Sequence, residues 1–356
     1  MNPENARWTD PDYARFHLRK NRFSSKDKQR IVKRLHSQQS TSVIGSHIKD
    51  DPAFWPLNRI NIEPVNMCNY RCPLCRTNLK DWVPRRKIEL ETVKKIISSL
   101  APGLRVVNLY GNRGEPLLHP RLEEIIAYIK SATTAKIRIS TNGSLVTDPR
   151  AQGLLDAGLD QIVFAVDGLT QRSYSAYRQG GRLEQVVENL RRFCELKAKG
   201  DYGTRVIFQF IPMAKNEHEL PDVPAFAYAL GVDLVKLKYS SSAANSDIYR
   251  VRDAGYRPDF RSGKDFVCPM GLDYIYIDPN GYCYPCCYME GHPNLLLGNV
   301  NKESIASIWS KSKIWELRRS FAEQIDFNPF CKKNCLEVAR FRKVTLKKPP
   351  GTNSGR

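Results

Sequence analysis

The chain has 356 residues, 41 % of them hydrophobic, with a formal net charge of +19 and a mean hydropathy of −0.47. That is enough apolar material for one large domain with a small appendage, or for two domains. No stretch approaches the roughly 18 apolar residues of a spanning helix, and the opening MNPENARWTD lacks the basic-then-apolar pattern of a secretory signal, so the expectation is a cytoplasmic protein without a membrane partner.

Residues 1–57 are polar, basic and weakly periodic. SSKDKQRIVKRLHS predicts a short helix opening at a Ser cap, and the segment reads as an N-terminal extension over the main domain. From Asn58 the pattern changes. RINIEPV, LRVVNLYG, KIRISTNG, LDQIVFAVDG, VIFQFIP and LVKLKYS read as buried strands. Between them lie the helical stretches ETVKKIISSLA, PRLEEIIAYIKSA, DPRAQGLLDAG, LEQVVENLRRFCELK and VPAFAYALG. Strands of five to eight residues alternating with helices predict a parallel α/β sheet over residues 58–240. Six strands are too few for an eight-stranded barrel, which leaves a doubly wound sheet or an incomplete barrel.

Residues 241–340 begin as an irregular polar linker. From Cys268 onward they hold six of the ten cysteines, a strand–turn–strand piece in LDYIYIDPNGYCYP and a helix in SIASIWSKSKIWELRRSF. This reads as a small metal-stapled domain. Residues 341–356 read as a flexible tail. The charge is concentrated at the ends: residues 1–60 carry 12 Lys and Arg against 6 Asp and Glu, and residues 301–356 carry 13 against 5. Either this is a solvated surface, or it attracts an anionic substrate such as a phosphate or a nucleotide-linked sugar. No recognisable nucleic-acid motif is present, so nucleic acid ranks low as a partner.

The cysteines are spaced as metal ligands. NMCNYRCPLC sets Cys68, Cys72 and Cys75 as C-x3-C-x2-C directly after the first strand. A structural zinc wants a fourth ligand nearby, and the nearest histidines in sequence, His47 and His119, are distant. Three thiolates suit a 4Fe–4S cube with one iron left open to a chelating ligand; zinc stays as the alternative.

At this motif the chain resembles the radical S-adenosylmethionine (radical SAM) superfamily, over about residues 58–340. The resemblance implies a partial (β/α)6 barrel, in line with the six strands. It implies that Cys68, Cys72 and Cys75 bind three irons, and that the cofactor's methionyl amine and carboxylate chelate the fourth. One electron then cleaves a carbon–sulfur bond to give a 5′-deoxyadenosyl radical, which takes a hydrogen atom from substrate. GNRGEP resembles the family's Gly-Gly-Glu-Pro motif at the methionyl ammonium. Because Asn112 and Arg113 interrupt the match, Gly114, Glu115 and Pro116 carry over; an ordinary strand-to-helix turn is the alternative. STNG points to Ser140 and Asn142 at a strand's C-terminal end, where ligand crevices lie. Asp167, in AVDG, and Arg178, in SAYRQGG, match family patterns as well. Arg178 is either a partner of the cofactor carboxylate or of substrate, or a surface arginine. Leu74 occupies the position that packs on adenine in relatives.

The second cysteine group resembles the SPASM/Twitch iron–sulfur domain. Cys268, Gly281 and Cys286 meet its opening spacing. With Cys331 and Cys335 they imply four ligands for one auxiliary 4Fe–4S cluster; a four-cysteine zinc ribbon is the alternative. Cys283 or Cys287 substitutes for one of these ligands, donates a hydrogen atom to a substrate radical, or packs. Cys194 reads as structural. The resemblance implies an oxidoreductase or epimerase acting at a carbinol carbon of a sugar, cyclitol or related anionic small molecule, served by a flavodoxin or ferredoxin. The alternative is a maturase of ribosomal peptides, which often carries a leader-binding domain of roughly 80 residues, large enough to fold alone; the poorly patterned opening segment weighs against it. A molybdopterin-type cyclase is related too, but that group ends in Gly-Gly and this chain in NSGR.

Overall fold

The structure is a computed structural model describing residues 57–78, 84–238, 274–311 and 313–314. The chain divides into two compact units. One comprises Pro52–Arg257 and Asp273–Lys311 and carries all the strands and helices named below. The other comprises Met1–Asp51, Pro258–Leu272 and Ser312–Arg356, with only residues 313–314 described. The expected opening helix, the linker, the C-terminal tail and Cys268, Cys331 and Cys335 lie outside the described residues.

Six strands follow the expected order: β1 Arg59–Ile62, β2 Val106–Leu109, β3 Lys136–Thr141, β4 Gln161–Ala165, β5 Arg205–Phe210 and β6 Leu234–Leu237. Three more follow, β7 Tyr274–Ile277, β8 Tyr282–Tyr284 and β9 Gly298–Asn299. Among the described residues they form one sheet in the order β6-β5-β4-β3-β2-β1-β7-β8-β9. All pairs from β6 to β7 are parallel, whereas β7–β8 and β8–β9 are antiparallel. The first six strands with their helices make the expected partial barrel. The hairpin signal in YIDPNGY is realised as β7 and β8, joined by a turn in which Asp278 Oδ1 accepts from the amides of Asn280 and Tyr282. Gly281 takes the left-handed φ of 82° that such a turn asks of glycine.

Register partners in a parallel sheet share a face, and the two faces differ. One carries Ile60, Val107 and Ile137 in a row, then Ile139, Ile162 and Val206, then Phe164 and Phe208, all fully buried. Helices cover it: α1 Leu90–Leu100, α2 Leu122–Ala132, α3 Asp148–Asp156, α4 Gln171–Tyr177, α5 Leu183–Lys199 and α6 Val223–Ala229. The period-3.6 stripe of α1 buries Leu90, Val93, Ile96 and Ile97. Edge-to-face ring pairs seat α5 on β4 (Phe164–Phe193, 5.9 Å) and α6 on β5 (Phe208–Phe226, 6.1 Å). Cys194, buried on α5, sits in this apolar layer. The opposite face carries a polar row: Tyr276, Asn61, Asn108, Arg138, Gln161 and Arg205. A short helix α7, Ile305–Trp309, opens at a Ser304 cap whose side chain accepts from the Ser307 amide. No helix among the described residues is long and apolar enough to cross a membrane.

Candidate cofactor and cluster site

The cysteine loop leaves the end of β1 and is held on several sides. Its Cys72–Cys75 segment turns back on itself through the Cys75 amide, which donates to the Cys72 carbonyl at 2.9 Å. The Arg71 amide donates to the Gln179 carbonyl, and the phenols of Tyr70 and Tyr174 pair at 3.1 Å. Cys72 is buried, and Cys68 and Cys75 are half-buried. Burial pushes the Cys68 thiol up to about 12, and the nearby Glu115, Cys75 and Cys72 add to the effect. Burial raises Cys72 too, opposed by the Arg178 guanidinium. Burial thus disfavours the ionised forms of Cys68 and Cys72, which a bound positive centre would favour. Among the described residues, no three Cys, His, Asp or Glu side chains converge closely enough to hold a single metal ion. The chemistry of three thiols within one eight-residue loop fits a 4Fe–4S cluster, which Cys68, Cys72 and Cys75 would hold.

The GNRGEP loop follows β2 and packs too closely for side chains at two positions. A Cβ on Gly111 would lie 1.7 Å from Glu63 Oε1, and one on Gly114 would lie 1.6 Å from the Val65 carbonyl oxygen. Glu63 Oε1 accepts from the amides of Arg113 (2.7 Å) and Gly114 (2.9 Å). Glu115 accepts from Thr141 Oγ1 (2.6 Å), the Asn142 amide (2.7 Å) and the Leu117 amide (3.2 Å). Its own amide donates to the Met67 carbonyl. Burial raises its carboxyl, and these bonds pull against that rise. Glu115 thus braces the ends of β2 and β3 against the cysteine loop. An ionised carboxylate accepts at about four sites, so room for a further donor remains. Pro116 starts the 3-10 turn Pro116–Leu118.

Asn142 Nδ2 donates to Asn69 Oδ1 at 2.9 Å and lies 3.9 Å from Cys68 Sγ. Ser140 is half-buried on β3, on the polar face, and Leu74 is half-buried in the cysteine loop. Asp167 has a left-handed φ of 64° and is fully buried. Its Oδ1 accepts from the Ile211 amide, and its Oδ2 pairs with Arg178 Nε at 2.7 Å. Arg178 is not a surface arginine: its side chain is 13 % exposed, and its Nη1 reaches Cys72 Sγ at 3.8 Å. The structure therefore brings Cys68, Cys72, Glu115, Asn142, Asp167 and Arg178 into one neighbourhood. Sequence reasoning missed Glu63 and Thr141. The second stands inside the STNG motif and was legible there; the first, one residue beyond β1, had no signal but its place in the chain.

The remaining cysteines part company. Cys283, fully buried on β8, points its thiol at the Gly281 carbonyl; its charged neighbours are Asp278, Glu303 and Lys311, the side of β9 and α7. Cys286 is half-buried at the start of the 3-10 turn Cys287–Met289. Cys287, also half-buried, lies among Lys238, Arg76, Glu290 and Glu63, and burial pushes its thiol up to about 11. It also acts electrostatically on Tyr110 and Tyr274. Only Cys287 of the two candidate hydrogen donors sits beside the polar face.

Comparison with known proteins gives this geometry its class. The model of the radical SAM superfamily matches residues 62–220, and that of an iron–sulfur cluster-binding domain (SPASM) matches residues 268–336. GTP 3′,8-cyclase of Aquifex aeolicus is 32 % identical over 314 residues, covering 76 % of this chain and 94 % of that protein. A probable GTP 3′,8-cyclase of Methanococcus maripaludis is 30 % identical over 182 residues, and there the chain spans 58 % of the relative's length. Among solved structures, Streptococcus suis SuiB bound to precursor peptide SuiA superposes with a TM-score of 0.62 at 14 % identity, covering 83 % of this chain and 74 % of that one. The AdoMet-bound anSMEcpe structure gives 0.55 at 14 % identity, covering 78 % and 83 %. The chain belongs to the radical SAM superfamily and carries a SPASM-type iron–sulfur domain. Its cofactors are accordingly 4Fe–4S clusters and S-adenosyl-L-methionine.

Proposed function

We propose that this chain oxidises or epimerises a carbinol carbon of a sugar, a cyclitol or a related anionic small molecule bound on the polar face of the sheet. Cys68, Cys72 and Cys75 would hold the catalytic cluster. Cys268, Cys286, Cys331 and Cys335 would hold the auxiliary one. Leu74, Gly114, Glu115, Pro116, Ser140, Asn142, Asp167 and Arg178 would form the cofactor's surroundings. When bound, cluster and cofactor supply a 5′-deoxyadenosyl radical able to take a hydrogen atom from an unactivated carbon.

The observation that carries the reading is Asn108. It is 8 % exposed on the polar face, and among the described residues its Oδ1 accepts no hydrogen bond. An orphaned buried acceptor costs about 1–3 kcal/mol, and a substrate hydroxyl would satisfy it. Arg138, its register partner on β3, and Lys236 and Lys238 at β6 supply positive charge for an anionic group. Cys287 stands nearby with a thiol hydrogen. In an epimerisation the carbon loses hydrogen from one face and regains it from that thiol on the other. The sulfur then needs one electron, from a flavodoxin or ferredoxin, and one proton from water. A reducing, cytoplasmic compartment, in which thiol ligands stay available, belongs to this reading.

A second reading, cyclisation of GTP, is favoured by the alignment over 94 % of the Aquifex aeolicus relative. Anaerobically reconstituted protein, expected to hold about eight irons as two cubes, is reduced with S-adenosylmethionine and offered nucleotide-linked sugars, aminocyclitols, GTP or a peptide library. Faster 5′-deoxyadenosine release with a sugar or cyclitol, and deuterium entering the product from heavy water, supports the first reading. Turnover of GTP alone establishes the second, and turnover of peptide alone establishes maturation.

A further inference from the structure

The two residues at which GNRGEP departs from Gly-Gly-Glu-Pro are the two whose side chains cross to the turn after β8. Asn112 Nδ2 donates to the Cys287 carbonyl at 2.7 Å and to Glu290 Oε2 at 3.0 Å. Arg113 Nε donates to Glu290 Oε1 at 2.9 Å, an ion pair with side chains 4 % and 1 % exposed. Arg113 Nη1 donates to the Arg76 carbonyl at 3.1 Å. Arg76, next in chain to Cys75, closes the triangle: its Nη1 and Nη2 donate to the carbonyls of Tyr288 (3.0 Å) and Glu290 (3.1 Å). Behind them Glu63 takes the Arg113 and Gly114 amides on one oxygen and the Tyr276 hydroxyl on the other.

Three loops with different tasks are thereby joined by mostly charged bonds, of which the Arg113–Glu290 pair is buried. These are the cysteine loop, the GNRGEP loop and the Cys287–Glu290 turn beside Cys286. Water has little access to the Arg113–Glu290 pair, so moving the GNRGEP loop or the Cys287–Glu290 turn alone would strand a buried charge. We propose that Arg76, Asn112 and Arg113 act as positioning residues that make the three loops one body, so that cofactor binding at the GNRGEP loop is thermodynamically linked to the Cys287–Glu290 turn. The inference rests on the reading of GNRGEP as the cofactor loop. Linkage is reciprocal: whatever tightens one end tightens the other, with typical coupling of about 5–150-fold in affinity.

The test uses the full chain, reconstituted anaerobically, and reads no turnover. S-adenosylmethionine binding is measured by equilibrium dialysis, and amide exchange by mass spectrometry with and without it. The reporters are the Met289 and Glu290 amides, bonded to the Cys286 and Cys287 carbonyls. Adding the cofactor to wild-type protein is expected to slow exchange at these amides. In Asn112→Ala, which removes no charge, and in the Arg113→Gln/Glu290→Gln double variant, that slowing is lost and the Kd rises about tenfold; Arg113→Lys, which keeps the charge, is expected to restore part of it. Wild-type protein that binds the cofactor without slowing exchange at 289–290, or an iron-replete Asn112→Ala that behaves as wild type, overturns the clamp alone. Wild-type protein that holds iron but binds no cofactor overturns the functional reading and the clamp together.

Discussion

The Arg178 guanidinium stands between the buried carboxylate of Asp167, 2.7 Å from its Nε, and the thiol of Cys72, 3.8 Å from its Nη1. One cation therefore joins the end of β4 to the cysteine loop. Asp167 can be fully buried only because Arg178 and the Ile211 amide meet its two oxygens. Removing either partner of such a pair typically costs about 3–5 kcal/mol, because the other is left charged in a dry place. Arg178→Met is expected to lower thermal stability accordingly and to weaken cluster retention, read as iron per chain. The Asp167→Asn/Arg178→Met double variant is expected to lose less than the sum of the singles, and strict additivity would show that the pair is not a unit.

Gly114 permits no substitution, because the obstacle is the fixed Val65 carbonyl. Gly114→Ala must displace backbone, at a cost of about 3 kcal/mol, and is expected to abolish S-adenosylmethionine binding measured by dialysis. Gly103→Ala is the control, since nothing lies within 4 Å of the position its Cβ would take. Equal thermal midpoints for the two variants would refute the packing argument.

Glu63 brings a pH dependence. Burial, with Glu290 beside it, raises its carboxyl to about 7 from 4.5. The native state therefore holds a proton that the unfolded chain gives up, so stability falls as pH rises between about 4.5 and 7. Glu63→Gln retains an acceptor for the Arg113 and Gly114 amides and has no proton to lose. The wild-type thermal midpoint, measured anaerobically against pH, is expected to drop through this window while that of Glu63→Gln stays flatter. Parallel curves would remove Glu63 as the source.

Cys283 and Cys287 are expected to separate by phenotype. Cys283→Ala, in the packed layer against β9 and α7, should cost about 1 kcal/mol in stability and leave product unchanged. Cys287→Ala should consume cofactor while losing epimerised product and deuterium incorporation from heavy water. Unchanged product from Cys287→Ala would retire this thiol as the donor.

The partial barrel was legible because its signals are local. Ile60 and Ile62, Ile137 and Ile139, and Phe164 alternate along their strands with residues that face the other way, and the pleat alone sends them to one side. The spacing of Cys68, Cys72 and Cys75 is likewise a property of eight consecutive residues. The short α4 was not expected: its box between Thr170 and Ser173 uses residues that read equally as a turn. Nor did periodicity announce that β7 would pair with β1, since strand pairing across some 210 residues leaves no mark in either strand.

The amino-acid sequence by itself determined the class of this protein and the strand order of its partial barrel, because each follows from spacing within a few residues. Only the tertiary structure decided what Glu63, Arg113 and Arg178 do, which of Cys283 and Cys287 faces the polar side, and that Glu115 braces strand ends. Those roles depend on buried charges finding partners far away in the chain, and a charge's partner is set by three-dimensional packing rather than by its neighbours in sequence.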